Sequence, residues 1–218
     1  ARVLAEMRGV PQGWENLLHN TGSPEGVLLI GFKNPALKPL TGKTLAQVAA
    51  MRGTSPEDTI IDLVIEDDSR VDAAFFLMSE ENIKKNIRWP WTMLGSDAGS
   101  MAPEGKFLLK NTHPRAYGNV ARFLGKYIRD EQVIGLAEGI RRLTSLPAQQ
   151  AGIRGRGRLA AGYAADVVVF DPAKIADTAT YDKPHSYAVG VSDVLVNGTA
   201  VLRSGEHTDA RPGQFVKG

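Results

Sequence analysis

The 218-residue sequence contains no cysteine, so neither a disulfide nor a thiolate nucleophile is available within it. No apolar run approaches the roughly 18 residues that a membrane-spanning helix needs. A dominant charge is missing too, with 26 Lys and Arg against 24 Asp and Glu. That balance argues against nucleic acid as a main partner, because phosphate binding needs a concentrated basic face. The densest basic stretch is Arg154, Arg156 and Arg158, interleaved with glycines. A solvent-exposed turn explains it as well as an anion site would. An N-terminal cap is also lacking, since Ala1 enters what reads as a helix over 1–8. The expectation is a truncated or processed chain whose signal peptide, if any, lies upstream. The compartment is left between cytoplasm and periplasm.

What is present is the composition of a globular protein long enough for a real core. Gly26 to Phe32 is a short apolar run bounded by turn residues, as in a strand buried on both faces. A helix is predicted from about Thr44 to Met51, closed by Gly53. Ser55-Pro56-Glu57-Asp58 is a strong helix start: Ser55 can cap, proline fits the first position, and acids favour the positive end. Val71 to Met78 reads as a second buried strand, with a helix from Ser79 through Arg88. Trp91 to Leu94 reads as a third, ending in Gly95-Ser96-Asp97. Strands alternating with helices predict parallel βα units, hence an α/β fold.

Two more helices are predicted, about Ala116 to Ile128 and Glu131 to Leu143. From Gly157 the pattern turns to β. Asp166 to Pro172 is a strand stopped by proline, and Asn197-Gly198 between two apolar runs is a strong hairpin signal. A closed (β/α)8 barrel needs eight strands and about 250 residues. Three barrel-like strands and a small β appendage predict part of such a barrel.

The segments Gly-Ser-Asp (95–97), His-Pro-Arg-Ala-Tyr-Gly (113–118) and Leu-Thr-Ser-Leu-Pro-Ala (143–148) stand in a recognisable order. Gly-Ile-Arg-Gly-Arg-Gly (152–157), Gly-Tyr-Ala-Ala-Asp-Val-Val-Val-Phe-Asp (162–171) and Val-Leu-Val-Asn-Gly (194–198) follow. Together they resemble the N-acyl-D-amino-acid deacylases of the amidohydrolase superfamily, over nearly the whole chain. The Ala-Asp strand and Asn-Gly hairpin mark the superfamily; His-Pro-Arg downstream of Ser-Asp points to the deacylases. The resemblance implies the C-terminal part of a TIM-like (β/α)8 barrel over 1–156, then strands of a small composite β-sandwich over 157–218. It also implies hydrolysis of the amide of an N-acyl-D-amino acid by a metal-activated water, with one or two zinc ions.

Two departures matter. The connection Ala102 to Thr112 is longer than is usual in the family, which bears on substrate choice. The family's His-x-His pair and cysteine ligand have no counterpart, and the only histidines are His19, His113, His185 and His207. The metal-binding half is therefore expected upstream, in an N-terminal half that becomes this chain's partner.

For Asp97, sequence pattern alone leaves capping of the next segment and catalysis evenly open. The resemblance implies the catalytic acid–base role, accepting the water proton and returning it to the leaving amine. It also makes Asp97 a candidate metal ligand. Arg115 is implied to bind the substrate carboxylate, for which a guanidinium fork is suited; the plain alternative is a surface ion pair. His113 either orients Asp97 or the substrate, or ends a loop. His19 reads as a solvated loop residue, with His185 and His207 in the β appendage. Trp89, Pro90 and Trp91 read as core packing, and Lys33 as a rim residue, solvated or facing substrate. A homo-oligomer is allowed. Other amidohydrolase chemistries, on hydantoins, dihydroorotate or dipeptides, and an inert fragment lacking its metal ligands are the alternatives.

Overall fold

A computed structural model of the chain describes residues 2–217. They form two compact units, each assembled from separate stretches of sequence.

The first unit comprises residues 2–79, 101–114 and 180–185. Its helices are α1 (Arg2–Arg8), α2 (Leu17–Asn20), α3 (Leu45–Arg52) and α4 (Pro56–Asp67), with strands β1 (Val27–Gly31) and β2 (Asp72–Phe75). The predicted Ser55 cap forms at α4, accepting the Asp58 N–H at 3.1 Å, and Thr44 with Gln47 adds a reciprocal capping box at α3. Leu29, Phe32, Leu37, Val48 and Leu63 form the core.

The parallel pairing expected of β1 and β2 is overturned: they run antiparallel, Val27 opposite Phe75 and Leu29 opposite Ala73. Two helices, not one, lie between them. The short connection 53–55 makes α3 and α4 neighbours that fold back on each other. One helix returns the chain for a parallel strand, whereas a second reverses it again.

Asp67 ends α4 and is buried, accepting the Lys33 N–H (3.2 Å), the Asn34 N–H (2.8 Å) and the Ser69 hydroxyl. Burial pushes its carboxyl up, but these donors outweigh it and the pKa falls below its ordinary value. The turn after β1 is held by this carboxylate.

The second unit comprises residues 80–100, 115–179 and 186–217. Its helices are α5 (Glu80–Arg88), α6 (Arg115–Arg122), α7 (Leu136–Leu143) and α8 (Ser145–Gln150). α6 continues into a π-helical stretch, Phe123–Asp130. The core is built from Ile87 of α5, Ala121, Phe123, Leu124, Tyr127 and Ile128 of this long helical stretch, and Ile175. The helix expected from Glu131 begins only at Leu136. The Glu131 N–H closes the widened turn onto the Lys126 carbonyl at 2.9 Å, and Gln132 takes a left-handed φ of 49° that stops propagation. Gly139 lets α7 pack closely, since a Cβ there would fall 2.0 Å from Ile128 Cδ1.

The strands β3 (Val167–Phe170), β4 (Val191–Val196), β5 (Thr199–Arg203) and β6 (Glu206–His207) form an antiparallel sheet in that order. The hairpin turn is the one read from sequence, with φ of 49° at Asn197 and 80° at Gly198. Asp166 accepts the Asn197 N–H at 2.9 Å, and the Arg156 guanidinium bridges Asp166 and the Asn197 side chain. Those donors, Asn197 first, hold the Asp166 carboxyl below its ordinary range.

The third strand expected at Trp91–Leu94 does not form. Residues 92–97 have no regular structure, because Pro90 lacks an N–H and no strand pairs with the segment among the described residues. Trp89 and Trp91 are 52% and 65% exposed, which corrects their reading as core. They stack on one another at 4.8 Å between ring centroids.

Candidate active site

Asp97 lies in the irregular segment following α5, at a φ of 49°. Left-handed backbone is uncommon outside glycine, although Asp tolerates it better than most. The Ser96 hydroxyl accepts the Ala98 N–H at 3.3 Å, tightening the turn around Asp97. Arg115 is the first residue of α6. Its Nη2 donates to Asp97 Oδ2 at 2.8 Å. Asp97 is 88% exposed and Arg115 43%, so the pair faces solvent. Two residues singled out eighteen positions apart thus meet. The chain loops away between them and returns to the same point.

His113, the third predicted residue, packs within the first unit. Its Nε2 lies 3.0 Å from the Tyr181 hydroxyl, and its ring meets Tyr181 edge-on at 5.1 Å. Phe76 extends this cluster, with its ring 5.0 Å from that of Tyr181. Sequence offered no signal for Tyr181, which sits in the long loop before β4. Lys33 is exposed and bound to Asp68 at 2.9 Å. His19 is exposed on α2. His185 belongs to the first unit, not the β appendage, while His207 lies on β6 as expected. Of the basic triplet, Arg156 is committed to Asp166 and Asn197.

The metal is tested by the donor set. Among the described residues, no group of three or more His, Cys, Asp or Glu could hold an ion. Asp97 pairs with Arg115, and among the described residues it belongs to no such group. These residues do not fit a zinc site by themselves.

A second carboxylate–arginine cluster went unremarked in the sequence. On α7, Glu138 accepts from Arg141 Nε at 2.7 Å and from Arg142 Nε at 2.9 Å. Arg141 comes first and Arg142 second in drawing the Glu138 carboxyl down to about 2. Arg142 is buried at 3% exposure and also donates to the Ile87 carbonyl. Arg141 donates to the Pro90 carbonyl at 2.6 Å. An available signal was Glu138 at three and four residues before Arg141 and Arg142, spacings at which opposite charges meet on a helix.

The Amidohydrolase family matches residues 31–202. The chain belongs to the amidohydrolase family. A D-aminoacylase of Alcaligenes xylosoxydans xylosoxydans is 38% identical over 81% of this amidohydrolase chain and 34% of its own length. An N-acyl-D-glutamate deacylase of the same organism is 34% identical over 81% and 33%. The chain therefore spans about a third of the length of the curated relatives it matches. Among solved structures, an N-acyl-D-glutamate deacylase from Bordetella bronchiseptica, complexed with zinc and a phosphonate mimic of the tetrahedral intermediate, superposes with a TM-score of 0.75 at 33% identity. That match covers 92% of this chain and 39% of the other. A D-aminoacylase structure superposes at 0.74 and 33%, covering 88% and 37%. No helix among the described residues is long and apolar enough to cross a membrane.

Proposed function

We propose that this chain supplies the Asp97–Arg115 part of an active site that hydrolyses the amide bond of an N-acyl-D-amino acid. The observation that carries the reading is the 2.8 Å pair itself: a guanidinium beside an exposed carboxylate in the segment the family resemblance singles out. A substrate carboxylate is a geometric substitute for the Asp97 carboxylate on the Arg115 fork. When the substrate engages Arg115, Asp97 is released to accept the proton of the attacking water. It then returns that proton to the nitrogen, so the amine leaves neutral instead of as an amide anion. The family resemblance also makes His113 a candidate substrate-binding residue.

In this reading residues 1–156 are the C-terminal portion of a TIM-like barrel and 157–218 are strands of the accompanying β-sandwich. The complete enzyme is about three times longer, as its relatives are, and zinc is held mainly by residues outside this chain. Zinc held there would polarise the water and the carbonyl. On this reading the chain alone is inactive.

The test joins this chain to the preceding portion of the D-aminoacylase it resembles and assays N-acetyl-D-amino acids beside hydantoins and dihydroorotate. Cleavage of N-acetyl-D-amino acids is expected; cleavage of only the cyclic substrates sinks the reading. Metal analysis of the isolated 218-residue chain is expected to find no stoichiometric zinc.

A further inference from the structure

Asp97 lies in a segment without secondary structure, yet its acid–base role requires a defined position to within a fraction of an ångström. The polypeptide leading to it is held at two main-chain atoms. Arg142 grips the Ile87 carbonyl at the end of α5, and Arg141 grips the Pro90 carbonyl at 2.6 Å. Both guanidinium groups are oriented by one carboxylate, that of Glu138. The Trp89–Trp91 stack straddles the second grip, at Pro90. Beyond them, Leu94 packs against the core formed by Ile87 and Phe123. Arg142, Thr92, Met93 and Leu94 line one small cavity with these two residues. Arg115 is tied to the same helix by a different route, since α6 runs into the π-helical stretch that packs on α7.

From this geometry we infer that Glu138 is a positioning residue: through Arg141 and Arg142 it clamps the Ile87–Pro90 turn and so sets Asp97 against Arg115. The inference rests on the proposed role of Asp97. A buried arginine whose partner is lost becomes an uncompensated charge. Removing the Glu138 charge should therefore free the turn, not merely weaken a surface contact. Glu131, which pairs with Lys84 of α5 at 2.6 Å, is the comparison carboxylate in the same unit.

The chain offers two clean reporters. Stacked indoles give a coupled circular dichroism band that depends on their mutual geometry. With no native cysteine, Gly95→Cys makes a unique spin-label site two residues from Asp97, where an added Cβ meets nothing within 4 Å. In the 218-residue chain, Glu138→Gln is expected to abolish the Trp couplet and to narrow the label spectrum to that of a mobile loop. Glu131→Gln is expected to leave both unchanged. Unchanged couplet and label in Glu138→Gln overturn the clamp. If that variant fails to fold, Arg141→Gln removes only the Pro90 grip; it should loosen the label, and an unchanged label again overturns the clamp. In the joined enzyme, Glu138→Gln is expected to lower kcat with KM retained, and Glu138→Asp, which keeps the carboxylate, to retain part of the lost kcat. Failure of the underlying reading looks different: hydrolysis survives Asp97→Asn whatever the reporters show.

Discussion

Two carboxylate–arginine clusters in the second unit use the same chemistry in opposite settings. Glu138 holds two arginines, one of them buried at 3% exposure, and the arginines spend their remaining donors on main-chain carbonyls. Asp97 meets Arg115 in open solvent, with the carboxylate 88% exposed. A buried pair is costly to break because it leaves a charge without water or partner. An exposed pair exchanges partners at little cost. The first arrangement suits a fixture and the second a site where a substrate carboxylate takes the place of a protein one.

This contrast is open to direct attack. The largest effect expected is on turnover: Asp97→Asn in the joined enzyme should lower kcat by about 10²–10⁴-fold, the range of general acid–base catalysis. A smaller loss, measured on initial rates, breaks the reading of the exposed cluster. Arg142→Ala strands the buried Ile87 carbonyl and should cost about 1–3 kcal/mol of stability in chemical denaturation. Arg115→Lys keeps the charge but loses the fork, and should raise KM by about tenfold with a smaller change in kcat, equivalent to one charged hydrogen bond. A double-mutant cycle between Asp97 and Arg115, read as stability, should give a coupling below about 1 kcal/mol.

Acid titration separates the clusters further. Glu138 has its carboxyl lowered from an ordinary 4.5 to about 2 by Arg141 and then Arg142. A depressed carboxyl contributes stability that is fully present above the ordinary value and lost as pH falls through the folded one. The Trp couplet should therefore persist down to about pH 2 in the parent chain. A couplet lost well above that, near pH 4, breaks the assignment.

Much of the local structure was legible. Thr44, Gly53 and Ser55 act at helix ends through side-chain and backbone geometry encoded within a few residues. Asn197-Gly198 makes its turn for the same reason. What misled was alternation: β1, two helices and β2 read as parallel units, but the number of helical passes between strands decides direction. Trp91–Leu94 looked apolar enough for a strand, yet a strand needs a partner, which no local pattern supplies. Of the candidate site, Asp97 and Arg115 were singled out through their motifs, and the structure pairs them. Glu138, Arg141 and Arg142 were not singled out, because burial of Arg142 depends on neighbours distant in sequence.

The sequence by itself determined helix starts, hairpin, family and the two candidate site residues, since these depend on side chains acting within their own turn or on motifs in fixed order. Only the tertiary structure decided the antiparallel pairing of β1 and β2, the exposure of Trp89 and Trp91, and the clamp from Glu138 to the Asp97 segment. Those depend on which surfaces lose water when distant segments pack, and that is a property of the folded chain as a whole.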